Sequence, residues 1–369
     1  MTAPTADETN PLRSNFRNQP FWNPTLIKPG EHGVKVHRMD LNECPHPPSP
    51  SVIHAIAQAA AGLNRYPDGT CPSLTERLSR DLDVPVEQIC YGSGSTQLLT
   101  SIAQICVGPG QQLVAPSLIW RRFAGVFDVV DADLRVVEND VDGAIDIEQM
   151  IASVGNDTRL MVILTPNNPT GLMLTREDLI RLRDEVPENV LLFIDEAYFE
   201  FARYEGGPDA VEVMKARRGP WVVTRTFSKA YALAGLRLGY AICSSHEMAN
   251  ALRLVTSTFN LVGVAEAAAL AALDDPEYTQ MILETNARER ARLVEGLEAM
   301  GLKVMPSVTN FIGVDVGRPS GPIVAALRER RVRVATFGYE ASGNYIRIST
   351  GLAEDTDACL AALREVLAA

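Results

Sequence analysis

From Glu87 onward the chain alternates between two textures. Short apolar, β-branched runs (QQLVAP, RLMVILTP, VLLFIDEAY, WVVTRTF, RLGYAIC) are separated by helical segments such as Arg176 to Glu185. Strands that are apolar along their whole length are buried on both faces, and the helices between them supply the crossovers that parallel neighbours need. The alternation therefore predicts an α/β fold, a mostly parallel sheet between helices. After Val264 the texture changes. An Ala-rich helix (VAEAAALAALDD) and a long charged amphipathic stretch, Pro276 to Met300, lead to two short strands around Asn310 and Ile346, with helices at 321–330 and 353–367. This predicts a second, smaller α+β domain. Residues 1 to about 40 lack a clear period and carry Asn, Pro and Gly breakers, which suits an arm. A Pro-rich stretch, Pro45 to Pro50, then enters an apolar helical run from Ser51 to Leu63. The division expected is an arm at 1–40, a large domain at 41–265 and a small one at 266–369, in keeping with a chain of 369 residues.

Charge and composition exclude several partners. With 34 basic and 46 acidic side chains the net charge is −12, which argues against binding a phosphate backbone or anchoring at an anionic membrane. A small anion needs only a local basic site and stays compatible. The cysteines, Cys44, Cys71, Cys90, Cys106, Cys243 and Cys359, form no C-x-x-C and no zinc spacing, and read as reduced thiols. The histidines form no H-E-x-x-H motif, so no metal site is expected. The N-terminus, MTAPTADETNPLRSN, is polar and of mixed charge, unlike a signal or transit peptide, and no uncharged apolar run is long enough to span a bilayer. A cytoplasmic protein is expected.

In open α/β sheets, ligands bind at the carboxyl ends of the strands. Here RLMVIL runs into Thr165-Pro166-Asn167-Asn168-Pro169-Thr170-Gly171, VLLFI ends in Asp195-Glu196-Ala197-Tyr198, and WVVTRTF ends in Ser228-Lys229, followed by Gly235-Leu236-Arg237. Taken singly, an Asp after a strand is a helix cap and a Ser-Lys pair is surface. In this order and at this spacing, Lys229 34 positions after Asp195 and Arg237 8 after Lys229, they form a constellation. Upstream, Tyr91-Gly92-Ser93-Gly94-Ser95-Thr96-Gln97 precedes the apolar helical run LLTSIAQIC. It reads either as an anion site at a helix N-terminus or as a cap made by Ser95.

With these blocks in view (TPNNPTG, IDEAY, RTFSKAYALAGLRLGY and the late YIRIS), the sequence resembles the fold-type-I, pyridoxal-phosphate-dependent class I/II aminotransferases. Within them it is most similar to the histidinol-phosphate aminotransferase subgroup, from about residue 41 to the C-terminus. The resemblance implies a cofactor, pyridoxal 5'-phosphate, whose aldehyde forms an imine with Lys229. It makes Asp195 the carboxylate that keeps the ring nitrogen protonated, and Tyr198 and Asn168 the partners of the ring hydroxyl. Gly94, Ser95, Thr96, Thr226, Ser228 and the fork of Arg237 become phosphate ligands. Tyr66, in Arg65-Tyr66-Pro67-Asp68, matches the tyrosine that reaches the phosphate of the neighbouring subunit, which implies a homodimer with composite sites. Arg347, in Tyr345-Ile346-Arg347-Ile348-Ser349, stands at the position of the arginine that binds the substrate α-carboxylate, and Asn42 is placed near the substrate.

Three departures from the subgroup bear on the substrate. Thr96 and Gln97 stand where an acidic pair is usual. Pro116-Ser117-Leu118 puts leucine where an aromatic usually stacks on the ring, so Trp120, the nearest aromatic, is expected to take that place. Ala335, in Arg331-Val332-Arg333-Val334-Ala335, stands where the subgroup's arginine grips the substrate's own phosphate. Arg121 and Arg122 either supply another anionic contact or are solvated helix charges. The function expected is transfer of an amino group from an amino acid or related amine, non-phosphorylated, to a 2-oxo acid. A decarboxylase, or an elimination or cyclising lyase on the same scaffold, is the alternative. A ligand-sensing transcription factor would need a basic DNA-binding domain, and the N-terminal arm is neither long nor basic enough.

Overall fold

In a computed structural model, residues 33, 35–120, 123, 125–126, 130–337 and 343–368 are described. Most of the expected arm, together with Arg121 and Arg122, lies outside the described residues. In chain order the first elements are β1 (His37–Arg38), α1 (Pro50–Ala59), α2 (Pro72–Leu82), β2 (Ile89–Ser93), α3 (Ser95–Cys106), β3 (Gln112–Pro116), β4 (Asp133–Val137) and α4 (Ile147–Ala152). There follow β5 (Thr158–Leu164), α5 (Arg176–Glu185), β6 (Leu191–Asp195), α6 (Phe199–Tyr204), α7 (Ala210–Met214), β7 (Trp221–Thr226), β8 (Leu238–Cys243) and α8 (His246–Val255). The last are α9 (Ala265–Leu273), α10 (Pro276–Glu298), β9 (Lys303–Val304), β10 (Phe311–Asp315), α11 (Ser320–Glu329), β11 (Val332–Arg333), β12 (Ala335–Thr336), β13 (Tyr345–Ser349) and α12 (Ala353–Ala368).

Local chemistry sets the helix starts. Ser49 accepts a hydrogen bond from Val52 N, and Pro50, which has no N–H to waste, opens α1. Thr175 and Asp178 form a reciprocal capping box at the start of α5. Asp275 caps α10, again with proline first.

The large sheet has the order β2-β8-β7-β6-β5-β3-β4. Its pairings are parallel except at β8, which is antiparallel to both β7 and β2. Both faces are covered, and side chains alternate between two cores as strand geometry requires. Met161, Ile163, Leu192 and Ile194 enter one core; Leu160, Val162, Leu191 and Phe193 enter the other. This is the α/β, mostly parallel architecture that the alternation predicts, and it brings the carboxyl ends of β2, β5, β6 and β7 to one edge.

A second sheet, β12-β13-β10-β9, is antiparallel. Its core holds Ile312, Val314, Ile346 and Ile348, with Leu293, Leu327 and Leu363 from the helices. Two boundaries differ from the expected division. His37–Arg38 pair in parallel with Val332–Arg333 and Met39 is fully buried in the small core, so the end of the expected arm is a structural part of the small unit. Ala265, Ala268, Ala269 and Ala272 of α9 pack in the large core. Their small side chains let α9 lie close to α1, and the small core is joined only within α10, at Leu293 and Leu297.

Candidate active site

A cavity of about 370 Å³ opens where the strand ends of the large sheet face β13 of the small one. Asn42, Ser95, Thr96, Trp120, Asn168, Asp195, Tyr198, Thr226, Ser228, Lys229, Arg237 and Arg347 all line it. Gly94 adjoins them, whereas Tyr66 lies elsewhere, 79% exposed and stacked on Phe259 with ring centroids 4.2 Å apart.

Asp195 is the last residue of β6, and its Oδ1 accepts from Ala197 N at 2.9 Å. Burial pushes its pKa up to about 7 against the pull of that hydrogen bond. Lys229 sits in the turn after β7, its Nζ donating to Asn42 O at 2.9 Å. Burial, then the neighbouring charge of Arg347, lowers its pKa to about 8, with Glu43 pulling the other way. An amine so placed is a competent nucleophile and base near neutral pH.

The other wall is one hydrogen-bonded network. Tyr198 Oη accepts from Asn42 Nδ2 at 2.9 Å and from Asn168 Nδ2 at 3.3 Å, which leaves its own proton to donate. Asn168 Oδ1 accepts from Arg347 Nη1 at 2.8 Å, and Arg347 Nη2 donates to Asp40 O at 2.7 Å. Among the described residues, Arg347 Nε is buried without a hydrogen-bond partner. Asn42 is held in the left-handed region, φ +53°, by Ser349, whose Oγ accepts from Asn42 N and donates to Asn42 Oδ1, both at 2.8 Å. Its carbonyl also accepts from Asn310 Nδ2 at 3.0 Å.

The remaining wall is an anion cradle. Gly94, φ +74°, stands at the N-cap of α3, and no side chain caps that helix, so Ser95 is not the cap; with Thr96 it lines the cavity. A Cβ on Gly94 would overlap the Arg237 guanidinium, which therefore lies directly over the helix N-terminus. Gln97 is turned aside, its Oε1 accepting from Ser93 N at 2.6 Å and from Asn260 Nδ2 at 2.9 Å. Trp120 lines the cavity. Leu118 serves through its backbone, its N donating to Asn139 Oδ1 and its O accepting from Asn167 Nδ2.

Reasoning from sequence missed Glu43, which also lines the cavity, and the supports Asn310 and Ser349. Glu43 adjoins Asn42 and was within reach; nothing local in the sequence marks Asn310 as a support.

The model of the family "Aminotransferase class I and II" matches residues 34–364. The chain belongs to the class I and II aminotransferases. Among similar proteins, "Histidinol-phosphate aminotransferase 2" of Pseudomonas aeruginosa is 38% identical over 331 residues, 90% of this chain and 89% of that one. An "Aromatic amino acid aminotransferase" of Streptomyces coelicolor is 35% identical over 355 residues, 95% of this chain and 96% of that one. The crystal structure of histidinol-phosphate aminotransferase from Sinorhizobium meliloti in complex with pyridoxal-5'-phosphate superposes with a TM-score of 0.88 at 31% identity, covering 97% of this chain and 98% of that one. The architecture is thus fold type I, and the protein is a pyridoxal-phosphate-dependent aminotransferase acting on a small-molecule amino donor and acceptor.

The residues present fit that cofactor. The absence of a Cβ at Gly94 lets the Arg237 guanidinium lie against the N-terminus of α3, and Ser95, Thr96, Thr226, Ser228 and Arg237 line the cavity as donors suited to a phosphate. Asp195 could hold the proton of the ring nitrogen, and the free Tyr198 proton suits a ring oxygen. When bound, the cofactor supplies an electron sink that makes the bonds to the substrate's α-carbon breakable.

Proposed function

We propose that this aminotransferase takes the amino group of a non-phosphorylated amino acid or related amine and delivers it to a 2-oxo acid, in two alternating half-reactions. Lys229 holds the cofactor and moves the α-proton, for which its lowered pKa suits it. Asp195 keeps the ring nitrogen protonated, and Tyr198 and Asn168 bond the ring hydroxyl. Gly94, Ser95, Thr96, Thr226, Ser228 and Arg237 hold the phosphate, and Trp120 covers the ring face. Arg347, with Asn42 beside it, takes the α-carboxylate, a role supported by the place of both side chains in the cavity wall.

The observation that carries the substrate assignment is the pairing of β12 with β13, in which Ala335 stands directly opposite Arg347. A methyl group occupies the place from which an arginine would reach a phosphate beside the α-carboxylate site. Arg333, two residues earlier, is committed to Asp40 at 2.8 Å. Among the described residues the cations lining the cavity are Lys229, Arg237 and Arg347, each with a task already. Relatives named for histidinol phosphate and for aromatic amino acids match over comparable lengths, so kinship alone leaves the donor open.

We further propose a homodimer with composite sites and a small domain formed by α10 to α12 with the 37–39 segment. Tyr66, Phe259 and the neighbouring Leu63 and Val262 form an exposed apolar face, which supports an interface there. Tyr66 then reaches the partner's phosphate site.

Steady-state kinetics with histidinol phosphate and with non-phosphorylated donors test the substrate assignment. Non-phosphorylated donors should have the higher kcat/KM, and Ala335→Arg should raise kcat/KM for histidinol phosphate about tenfold, the worth of one charge-assisted hydrogen bond. Efficient, saturable turnover of histidinol phosphate by the unaltered protein would overturn it.

A further inference from the structure

Behind the strand ends that face the cavity lies a buried charge cluster that the chemistry above does not use. Alternation along β6 and β7 turns Asp195 and Thr226 toward the cavity and Glu196 and Arg225 away from it. We propose that Arg225 is a positioning residue: through Glu196 and Asp209 it fixes and neutralises the strand end that carries Asp195, and so sets how firmly Asp195 holds the ring-nitrogen proton of the cofactor. The proposal rests on the role given to Asp195 above.

Arg225 is 1% exposed. Its Nε and Nη2 reach Glu196 Oε2 at 2.9 and 2.8 Å, and Nη2 also reaches Asp209 Oδ1 at 2.6 Å. Its guanidinium carbon lies 3.3 Å from the centroid of the Phe199 ring. Glu196 Oε1 accepts from Ala210 N at 3.1 Å, and Asp209 Oδ1 accepts from Val211 N at 2.9 Å. One guanidinium, near the end of β7, thus joins the end of β6, the first residue of α6 and the start of α7. The other titratable groups around it are Tyr240, its partner across β7 and β8, with Glu200 and Tyr231.

Stability alone does not call for such a cluster, because apolar side chains of similar volume often serve a core as well or better. Its place does. Glu196 follows Asp195 in the chain, and its negative charge raises the proton affinity of Asp195. Lys229 acts on Asp195 in the opposite sense, and Tyr198 lies close by. Arg225 is the cation paired with Glu196 there. It also holds the backbone between Thr224, paired with Asp195 in register, and Thr226 of the phosphate cradle.

The test is a pH titration of the visible absorbance of the bound cofactor in holoenzyme, with cofactor dissociation constants and melting temperatures, for wild type, Arg225→Met, Glu196→Gln and the double variant. Arg225→Met leaves Glu196 unneutralised, so the midpoint should rise by about one pH unit and cofactor binding should weaken about tenfold. Glu196→Gln leaves the guanidinium in excess, so the midpoint should fall; the double variant should return toward wild type. Glu196→Gln preserves shape, so it and the double variant keep the test alive if Arg225→Met does not fold. Lower melting temperatures with wild-type midpoints and dissociation constants would overturn the proposal and leave a structural clamp. Midpoints that move the same way in both single variants would overturn it too. Wild-type protein with no visible cofactor band would instead contradict the cofactor site itself.

Discussion

Burial acts on Lys229 and Asp195 in opposite directions, because it disfavours the charged form of each. The amine comes down to about 8 and the carboxyl goes up to about 7, so both titrate near neutrality. For Lys229 the sign is direct. A depressed pKa means that the neutral, nucleophilic amine accumulates as pH rises through about 8, so the rate at which cofactor-free protein captures pyridoxal phosphate should climb through that region and level off above it. A rate still climbing steeply toward the pH range of an ordinary lysine would contradict the burial of this site. Lys229→Ala should abolish both the visible absorbance and turnover while circular dichroism stays native; a yellow, active variant would refute the assignment. Arg347→Lys keeps the charge but loses the fork. With charge-assisted hydrogen bonds worth about 1.5–3 kcal/mol, the KM of the amino donor should rise roughly tenfold to a hundredfold with little change in the cofactor spectrum.

Single elements carry the next level of the account, and one glycine shows how closely loops approach. Gly171, φ +82°, closes the turn after β5, and a Cβ there would overlap Ser307 of the small unit. Gly171→Ala should cost about 1–3 kcal/mol, read as a lower melting temperature. Thr175→Ala removes the capping box of α5 and should cost about 1 kcal/mol. These elements also show what a sequence discloses. The α5 helix was legible to the residue, since its period and its box are local. The β8 strand was legible as a strand but not in direction. Its antiparallel course follows from the segment between Thr226 and Leu238, which is too short for a helical crossover and is filled by Ser228, Lys229 and Arg237. The place of α9 was not legible, because an Ala-rich helix fits either core and only packing against α1 decides. Trp120 and Leu118 show the same limit, since side-chain direction after β3 depends on the Asn139 and Asn167 bonds that hold the Leu118 backbone.

At the scale of the whole molecule, the site belongs to neither sheet alone. Asp195, Asn168 and Lys229 come from the large sheet, Arg347 and Ser349 from the small one, and Asn42 from the segment that follows β1; the bonds from Arg347 to Asn168 and from Lys229 to Asn42 join them. Sequence motifs named most of these side chains because the chemistry sits at strand ends. The supports Asn310 and Ser349 were missed because the residue they hold, Asn42, is distant in the chain. Among the described residues no helix is long and apolar enough to cross a membrane, and no cluster of metal-ligating side chains occurs. If two copies share their sites, Tyr66→Phe should weaken cofactor retention without disturbing the visible band at saturation. Unchanged affinity would remove Tyr66 from the phosphate site. The central claim, transamination at this site, is tested most directly by a single half-reaction. Yellow holoenzyme is mixed with each amino donor in turn, without any 2-oxo acid. Loss of the yellow band, with a stable aminated cofactor and one equivalent of the matching oxo product, is the result expected here. A band that shifts and then returns while carbon dioxide, ammonia or a cyclic product accumulates would contradict it and assign the scaffold to lyase chemistry.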